Sequence, residues 1–391
     1  MTQSIRTRLC FEKLEAREVH AFLTPVASPI DFDKTGDFNG DGRADLISVD
    51  SATSKLTVRL GNGDGTFATA KTTTLSGTPN IRAVADLNAD GKDDVVLTLG
   101  GSEMALMLSN GNGTFTKSSS SPVLAKVTVP GNNKPQTQRA SSIVVGDLNG
   151  DSLLDLAVIG NWATTSNGVI SGSAAYLNVF YAKGVGGFTA KPPVFLMSGP
   201  RMYAVNPEVH LADLAGDGRP EVLAVDSHLG TKVLTAQPDG SFQLTKSTSQ
   251  FNGGPVTVAD FNGDGKDDVV GWQSGGSTVN LFLGAGDGSF GAAQTFATGA
   301  GLGKATVADV NNDGKADLVT ANSQTSGSDS VSVLMGNGDG TFQTARTFAV
   351  GAELISIALA DFDGDGRIDL ARREWNGIAY QTVVLFNDGV W

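Results

Sequence analysis

Seven short stretches of the sequence carry oxygen-bearing side chains on alternate residues: DFNGDGRAD at 37–45, DLNADGKDD at 86–94, DLNGDSLLD at 147–155, DLAGDGRPE at 213–221, DFNGDGKDD at 260–268, DVNNDGKAD at 309–317 and DFDGDGRID at 361–369. Numbered from its first Asp, each stretch presents side-chain oxygens at positions 1, 5 and 9, and all but the fourth also at position 3, with a backbone carbonyl at position 7. The first loop offers Asp37, Asn39, Asp41, Arg43 (carbonyl) and Asp45, the second Asp86, Asn88, Asp90, Lys92 and Asp94, and the third Asp147, Asn149, Asp151, Leu153 and Asp155. The fourth offers Asp213, Asp217, Arg219 and Glu221, and the fifth Asp260, Asn262, Asp264, Lys266 and Asp268. The sixth offers Asp309, Asn311, Asp313, Lys315 and Asp317, and the seventh Asp361, Asp363, Asp365, Arg367 and Asp369. Alternate residues of a tight loop point inward, so these oxygens converge. Hard oxygen donors in that number suit Ca²⁺ better than Mg²⁺, which keeps more water and insists on octahedral geometry. The expectation is up to seven bound Ca²⁺ ions. Zn²⁺ and copper are poorly served, with three histidines in the whole chain and no sulfur in the loops.

An EF-hand would need a bidentate Glu at position 12 and a following helix. Position 12 is Ser48, Leu97 or Gly271 in three of the copies, and the residues after position 9 read as strand. An Asx-type turn alone would account for the DxNxDG core, but not for an acid at position 9 in all seven copies. Two loops depart from the pattern. Ser152 replaces the position 6 Gly in the third. In the fourth, Ala215 removes the position 3 ligand, Pro220 stands at position 8, and Glu221 replaces Asp at position 9.

The chain has 391 residues and a formal net charge of −13. Of its 41 acidic residues, 22 are at loop positions 1, 3, 5 and 9, so the acidity is largely that of the metal loops. A net negative charge argues against nucleic acid and against an anionic membrane surface as partners. No apolar run is long enough to span a membrane. The single cysteine, Cys10, excludes an intramolecular disulfide.

The loops must be positioned by whatever lies between them. Their first residues are 49, 61, 66, 47, 49 and 52 residues apart, a period that points to a propeller or a solenoid. Short alternating apolar stretches flank each loop, as in Ile81–Asp86 and Val95–Leu99, and read as strands. A second glycine turn follows in most copies: GNGDGTF at 61–67, GNGTF at 111–115, PDGSF at 238–242, GAGDGSF at 284–290 and GNGDGTF at 336–342. Each unit therefore holds about four strands, one propeller blade.

The spacing also predicts how the ring ends. From the turn Phe to the next loop there are 19 residues at Phe67, Phe290 and Phe342, and 18 at Phe242. The chain stops at Trp391, in the place of that Phe, so the last unit lacks its outer strand. Counting 19 back from Asp37 reaches Glu18, which makes residues 18–37 the missing piece. The expected fold is all-β: a seven-bladed β-propeller over 18–391, closed by an N-terminal strand, with 1–17 a separate export-like segment. Closure leaves no free sheet edge.

The loops and their setting resemble the FG-GAP/VCBS repeat family, which includes the integrin α-subunit propeller. The resemblance implies a seven-bladed propeller with Ca²⁺ in inter-strand loops on one face and ligand recognition elsewhere. It implies no single activity. Residues Leu9, Phe11, Glu12, Leu14, Glu15 and Arg17 also resemble a short N-terminal motif of exported bacterial proteins, which implies a secreted or cell-surface location.

No HExxH, GxSxG or P-loop is present. TGAGLGKA at 298–305 lacks the first Gly and the final Ser/Thr of a P-loop and reads as a glycine turn. His210 and His228 stand alone and are assigned no catalytic role. Extra residues fall at 116–140 and 161–175, with more variation at 189–208, and in or beside these stretches stand Trp162, Tyr176, Tyr181, Arg201, Met202 and Tyr203; they are either a binding surface or decorated loops with aromatics packed beneath. The reading is of a non-catalytic, monomeric Ca²⁺-dependent module binding a protein or glycan. The alternative is a propeller enzyme, a polysaccharide lyase or hydrolase, acting at the same insertions.

Overall fold

The computed structural model describes residues 26–28, 31–100, 103–129, 132–166, 169–184, 187–199, 207–251, 254–323, 329–350, 353–375 and 377–389. The export-like segment, most of the expected closing strand, Arg201, Met202, Tyr203 and Trp391 lie outside them. Among the described residues there are strands and turns but no helix, and so no helix long and apolar enough to cross a membrane.

The strands form small antiparallel sheets in which chain order and spatial order agree. Lys34–Gly36, Asp45–Asp50, Lys55–Arg59 and Lys71–Thr74 make the first, and Pro79–Ala85, Asp94–Leu99, Glu103–Ser109 and Phe115–Lys117 the second. Glu208–Ala212, Glu221–Asp226, Gly230–Ala236 and Phe242–Thr248 repeat the arrangement. Second strands such as Asp94–Leu99, Glu221–Asp226 and Asp317–Asn322 are buried along their whole length. That explains their near-continuous apolar sequence, since both faces pack against neighbouring units. The fifth and sixth units share one strand. Gln294–Ala308 runs unbroken, pairing with Gly276–Phe282 through its first half and with Asp317–Asn322 through its second. The TGAGLGKA stretch thus lies within a strand rather than a turn.

The last sheet is completed from the other end of the chain. Glu353–Ala360, Asp369–Trp375 and Tyr380–Leu385 are followed in space by Val26–Ser28, which pairs antiparallel with Thr382, Val383 and Val384. The innermost strands of successive units touch: Lys34–Gly36 meets Pro79–Ala85, which meets Arg139–Gly146, and so on through Glu208–Ala212 and Val256–Ala259 to Gln294–Ala308. Glu353–Ala360 in turn meets Lys34–Gly36.

The insertions behave differently from the expected loops. Residues 161–175 lengthen a hairpin, Asp155–Ser166 with Val169–Ala182, and Val194–Gly199 adds to its upper part. Within 116–140, Val127–Val129 and Asn132–Gln136 pair as a two-stranded sheet. Tyr176 and Tyr181 are buried, Tyr176 edge-on to Phe195 and Tyr181 donating to the carbonyl of Gly240 at 2.8 Å. Trp162 is half-buried and its Nε1 donates to Gln136 at 2.8 Å. Tyr176 and Tyr181 therefore belong to the packing of the third unit, not to a binding surface.

Candidate metal centres

Each of the seven loops joins the first strand of a unit to the second, and position 9 is the first residue of that second strand, as with Asp45, Asp94 and Asp155. The first Asp organises the turn. Asp37 accepts the backbone N–H of Gly40 through one oxygen and that of Gly42 through the other, both at 2.7 Å. Asp147, Asp213, Asp260 and Asp361 repeat both bonds. Positions 3 and 5 continue it, with Asp41 N–H donating to Asn39 and Arg43 N–H to Asp41, both at 3.0 Å. The backbone itself thus holds the side-chain oxygens of positions 1, 3 and 5 around a small centre.

The tight path requires left-handed backbone at positions 4 and 6. Position 6 is Gly at φ 78° to 83° in six loops, and Ser152 takes the same conformation at φ 67°. At position 4, Ala89 (φ 58°) and Asn312 (φ 55°) also adopt it. Such a conformation costs a residue with a Cβ of order 1 kcal/mol.

Position 9 is fully buried in the six loops where it is Asp. It links the loop to the second turn of its unit. Asp45 accepts from Phe38 N–H at 2.8 Å and from Gly61 N–H at 2.7 Å. Asp94, Asp155, Asp268, Asp317 and Asp369 make the same pair of bonds, to position 2 and to a residue of the second turn. Glu221 makes only the first, to Leu214 at 2.9 Å. Burial pushes all six Asp carboxyls up to about 6, with the backbone donors partly opposing it. Glu221 is raised for the same reason.

A cation crosses most of the loops. The position 7 side chain reaches the position 5 carboxylate as Lys92–Asp90 (2.9 Å), Arg219–Asp217 (3.1 Å), Lys266–Asp264 (3.3 Å) and Lys315–Asp313 (3.6 Å), and also as Arg43–Asp41 and Arg367–Asp365. Leu153 supplies none in the third loop. These exposed pairs are worth little in themselves, and they hold the position 5 carboxylate by one charge that a metal would replace.

The seventh loop converges most. One oxygen from each of Asp361, Asp363 and Asp369 lies within 4.8 Å of the other two. It is the one such group of three acids, histidines or cysteines among the described residues. The donors are all hard oxygens, and each bonded carboxylate oxygen keeps a lone pair, so this set fits Ca²⁺. In five of the other loops position 3 is Asn, which contributes an amide oxygen instead of a third acid; in the fourth it is Ala215.

Position 8 was given no role in the sequence, yet Asp93 and Asp267 act there. Asp37 N–H donates to Asp93 at 2.8 Å, and Asp93 N–H returns to the carbonyl of Asp37 at 2.8 Å. Asp213 and Asp267 make the same reciprocal pair across the fourth and fifth units. The signal was the doubled DD ending of copies two and five. Of the two histidines, His210 is largely buried, its pKa pushed down to about 4 by burial, and it stands 3.9 Å from Glu208. His228 lies 2.8 Å from the Ser227 hydroxyl.

The sequence pattern of the FG-GAP-like repeat matches residues 37–97, 86–158, 213–271, 260–320 and 309–371. Among curated proteins none matches this chain. Among solved structures, BBS1N in complex with ARL6DN, soaked with lead, is similar with a TM-score of 0.58 at 12% identity, over 93% of this chain and 97% of that one. A functionally unknown protein from Desulfotomaculum acetoxidans is similar with a TM-score of 0.51 at 13% identity, over 89% of this chain and 95% of that one. At these identities the likeness is one of fold.

Proposed function

Because this chain belongs to the FG-GAP-like repeat family, we propose that it is a Ca²⁺-loaded β-propeller of seven blades, closed by Val26–Ser28, that serves as an extracellular binding or display module. The observation that carries this reading is the repeated loop: seven times the backbone gathers oxygen ligands at the same junction between first and second strands. Asp361, Asp363, Asp365 and Asp369, with the Arg367 carbonyl, would hold the ion of the seventh loop, and the corresponding residues the others. The bound ion neutralises carboxylates that otherwise repel one another, and so stiffens the scaffold without entering any reaction.

The meeting of the last and first units supports a closed ring. Gly65 N–H donates to the carbonyl of Phe362 at 3.1 Å, and Phe67 stands edge-on to Phe362. The same two contacts join the fifth and sixth units, as Gly340 N–H to Phe261 at 3.0 Å and Phe342 edge-on to Phe261. Asp31 and Asp33, which lie outside the loops beside the closing strand, are both engaged by Arg373.

Calorimetric Ca²⁺ titration and thermal melting test the reading. Binding to the folded state alone adds about 2.7 kcal/mol per site at a hundredfold excess over Kd, so Ca²⁺ raises the midpoint and a chelator lowers it. At limiting Ca²⁺ the seventh loop fills first and the fourth, without a ligand at Ala215, last. Identical midpoints with and without Ca²⁺ would overturn the metal reading. A glycan and protein array, run with and without chelator, identifies the partner.

A further inference from the structure

The innermost strands line an open cavity of about 470 Å³ to which no loop contributes a candidate metal ligand. Lys34 and Thr35 line it from one strand, and Lys304 and Thr306 from another. Lys304 Nζ donates to the carbonyl of Ile357 at a long 3.4 Å, which leaves most of its donor capacity unused. The ammonium of Lys34 has no hydrogen bond or ion pair among the described residues, and neither do the hydroxyls of Thr35 and Thr306. Both lysines are exposed residues. Both are also crowded by protein, and this desolvation holds each below the usual lysine range; the charge of Lys34 lowers Lys304 further.

One acid shares the cavity. Asp33 partly offsets the effect on Lys34. Its carboxylate is committed elsewhere, accepting from Val49 N–H at 2.8 Å and standing 3.6 Å from Arg373 Nη1. Two ammonium groups thus face one cavity in a chain of net charge −13, where acids abound and none is placed between them. Like charges in a partly desolvated site repel. An anion that bridges them removes the repulsion and gains charge-assisted hydrogen bonds.

We propose that this cavity binds a small doubly charged oxyanion of the sulfate or phosphate type, held between the ammonium groups of Lys34 and Lys304 and the hydroxyls of Thr35 and Thr306. The proposal is independent of the metal loops, and sulfate is the suitable probe because phosphate would complex Ca²⁺. Calorimetric titration of the full Ca²⁺-loaded chain with sulfate at low ionic strength should give saturable binding. Lys34→Met and Lys304→Met should each weaken it by roughly tenfold or more, the loss of one charge-assisted contact, while Lys183→Met, on the outer surface, leaves it unchanged. Relief of the ammonium repulsion should also raise the sulfate-free midpoint of the Lys34→Met and Lys304→Met variants, which guards against misfolding as the cause of lost binding. Sulfate stabilises any fold by exclusion, so the second readout is its excess effect on the wild-type midpoint over that on the variants. No saturable binding to the wild-type chain, or binding that both the Lys34→Met and Lys304→Met variants retain, would overturn the proposal.

Discussion

The carboxylate of Asp268 takes the N–H of Phe261 at 3.0 Å and of Gly284 at 2.8 Å, and it is also a proposed Ca²⁺ ligand of its loop. Asp264, four residues earlier in the same loop, is exposed and bonds mainly within the loop. The two acids should therefore separate folding from metal binding. Asp268→Asn places an amide against a buried N–H and should cost about 1–3 kcal/mol even in metal-free protein. Asp264→Asn should leave the metal-free stability within about 0.5 kcal/mol and still weaken Ca²⁺ binding. Urea unfolding with and without Ca²⁺ reads both, and equal effects on metal-free stability would remove the structural role of position 9. The same acids set a pH trend. Their folded pKa is raised to about 6, above the ordinary value, so the folded state binds the proton more tightly and this contribution to stability is present below about pH 4 and lost as pH rises to about 6. Ca²⁺ favours the ionised form, so the gap between Ca²⁺-loaded and metal-free melting midpoints should widen from pH 5 to pH 7. A gap that stays constant over that range contradicts the assignment of these acids to the metal. At Ser152, the left-handed φ of 67° is relieved by glycine. Ser152→Gly should stabilise the protein by about 0.5–1 kcal/mol, read as a higher midpoint; a lower one would mean that the serine side chain makes a contact outweighing its strain.

At the scale of strands and loops, the repeats made much of the architecture legible. Position 9 opens a strand in every copy, as an acid followed by apolar alternation suggested, and the glycine turns fall where the motif put them, closed by bridges such as Gly61 to Phe67. What the sequence could not convey was the use of a residue by a neighbouring unit. Asp93 and Asp267 look like surplus acids in a linear motif, but each caps the first Asp of the preceding loop. The lengthened hairpin at Asp155–Ser166 and Val169–Ala182 was equally hidden, because Gly, Ser and Thr at 163–173 read as loop until pairing supplies the hydrogen bonds. The inter-unit pairs invite a direct test. Asp93→Ala and Asp267→Ala each leave an N–H of the preceding loop without its acceptor and should destabilise by about 1–3 kcal/mol. Their effects should add, since the pairs are in different units. Thermal melts of the single and double variants check this, and a double variant no worse than either single one would show that the two junctions do not act independently.

Over the whole molecule, what matters is whether the last unit depends on the first residues of the chain. Val26–Ser28 supplies the fourth strand of the final sheet, and Asp31, just beyond it, accepts a hydrogen bond from Arg373 Nη2 at 2.9 Å and stands in ion-pair contact with its Nε. Arg373 also lies 4.6 Å from the centre of the Tyr380 ring, so it is fixed from both sides. A strand that pairs across the junction and an ion pair beside it should act as one clasp. Removing residues 1–28 takes away the strand, bares the edge of Tyr380–Leu385 and should lower the melting midpoint and promote association, as unpaired edges do. Removing only 1–17 leaves the strand intact and should be tolerated. Arg373→Ala in the full chain should fall between, because it loses the ion pair but keeps the strand hydrogen bonds. Melting and light scattering on the three proteins decide the matter. If the two truncations melt alike and both remain monodisperse, the N-terminal strand does not close the ring, and the stability of the last unit must come from its packing against its neighbours, as at Phe67 and Phe362.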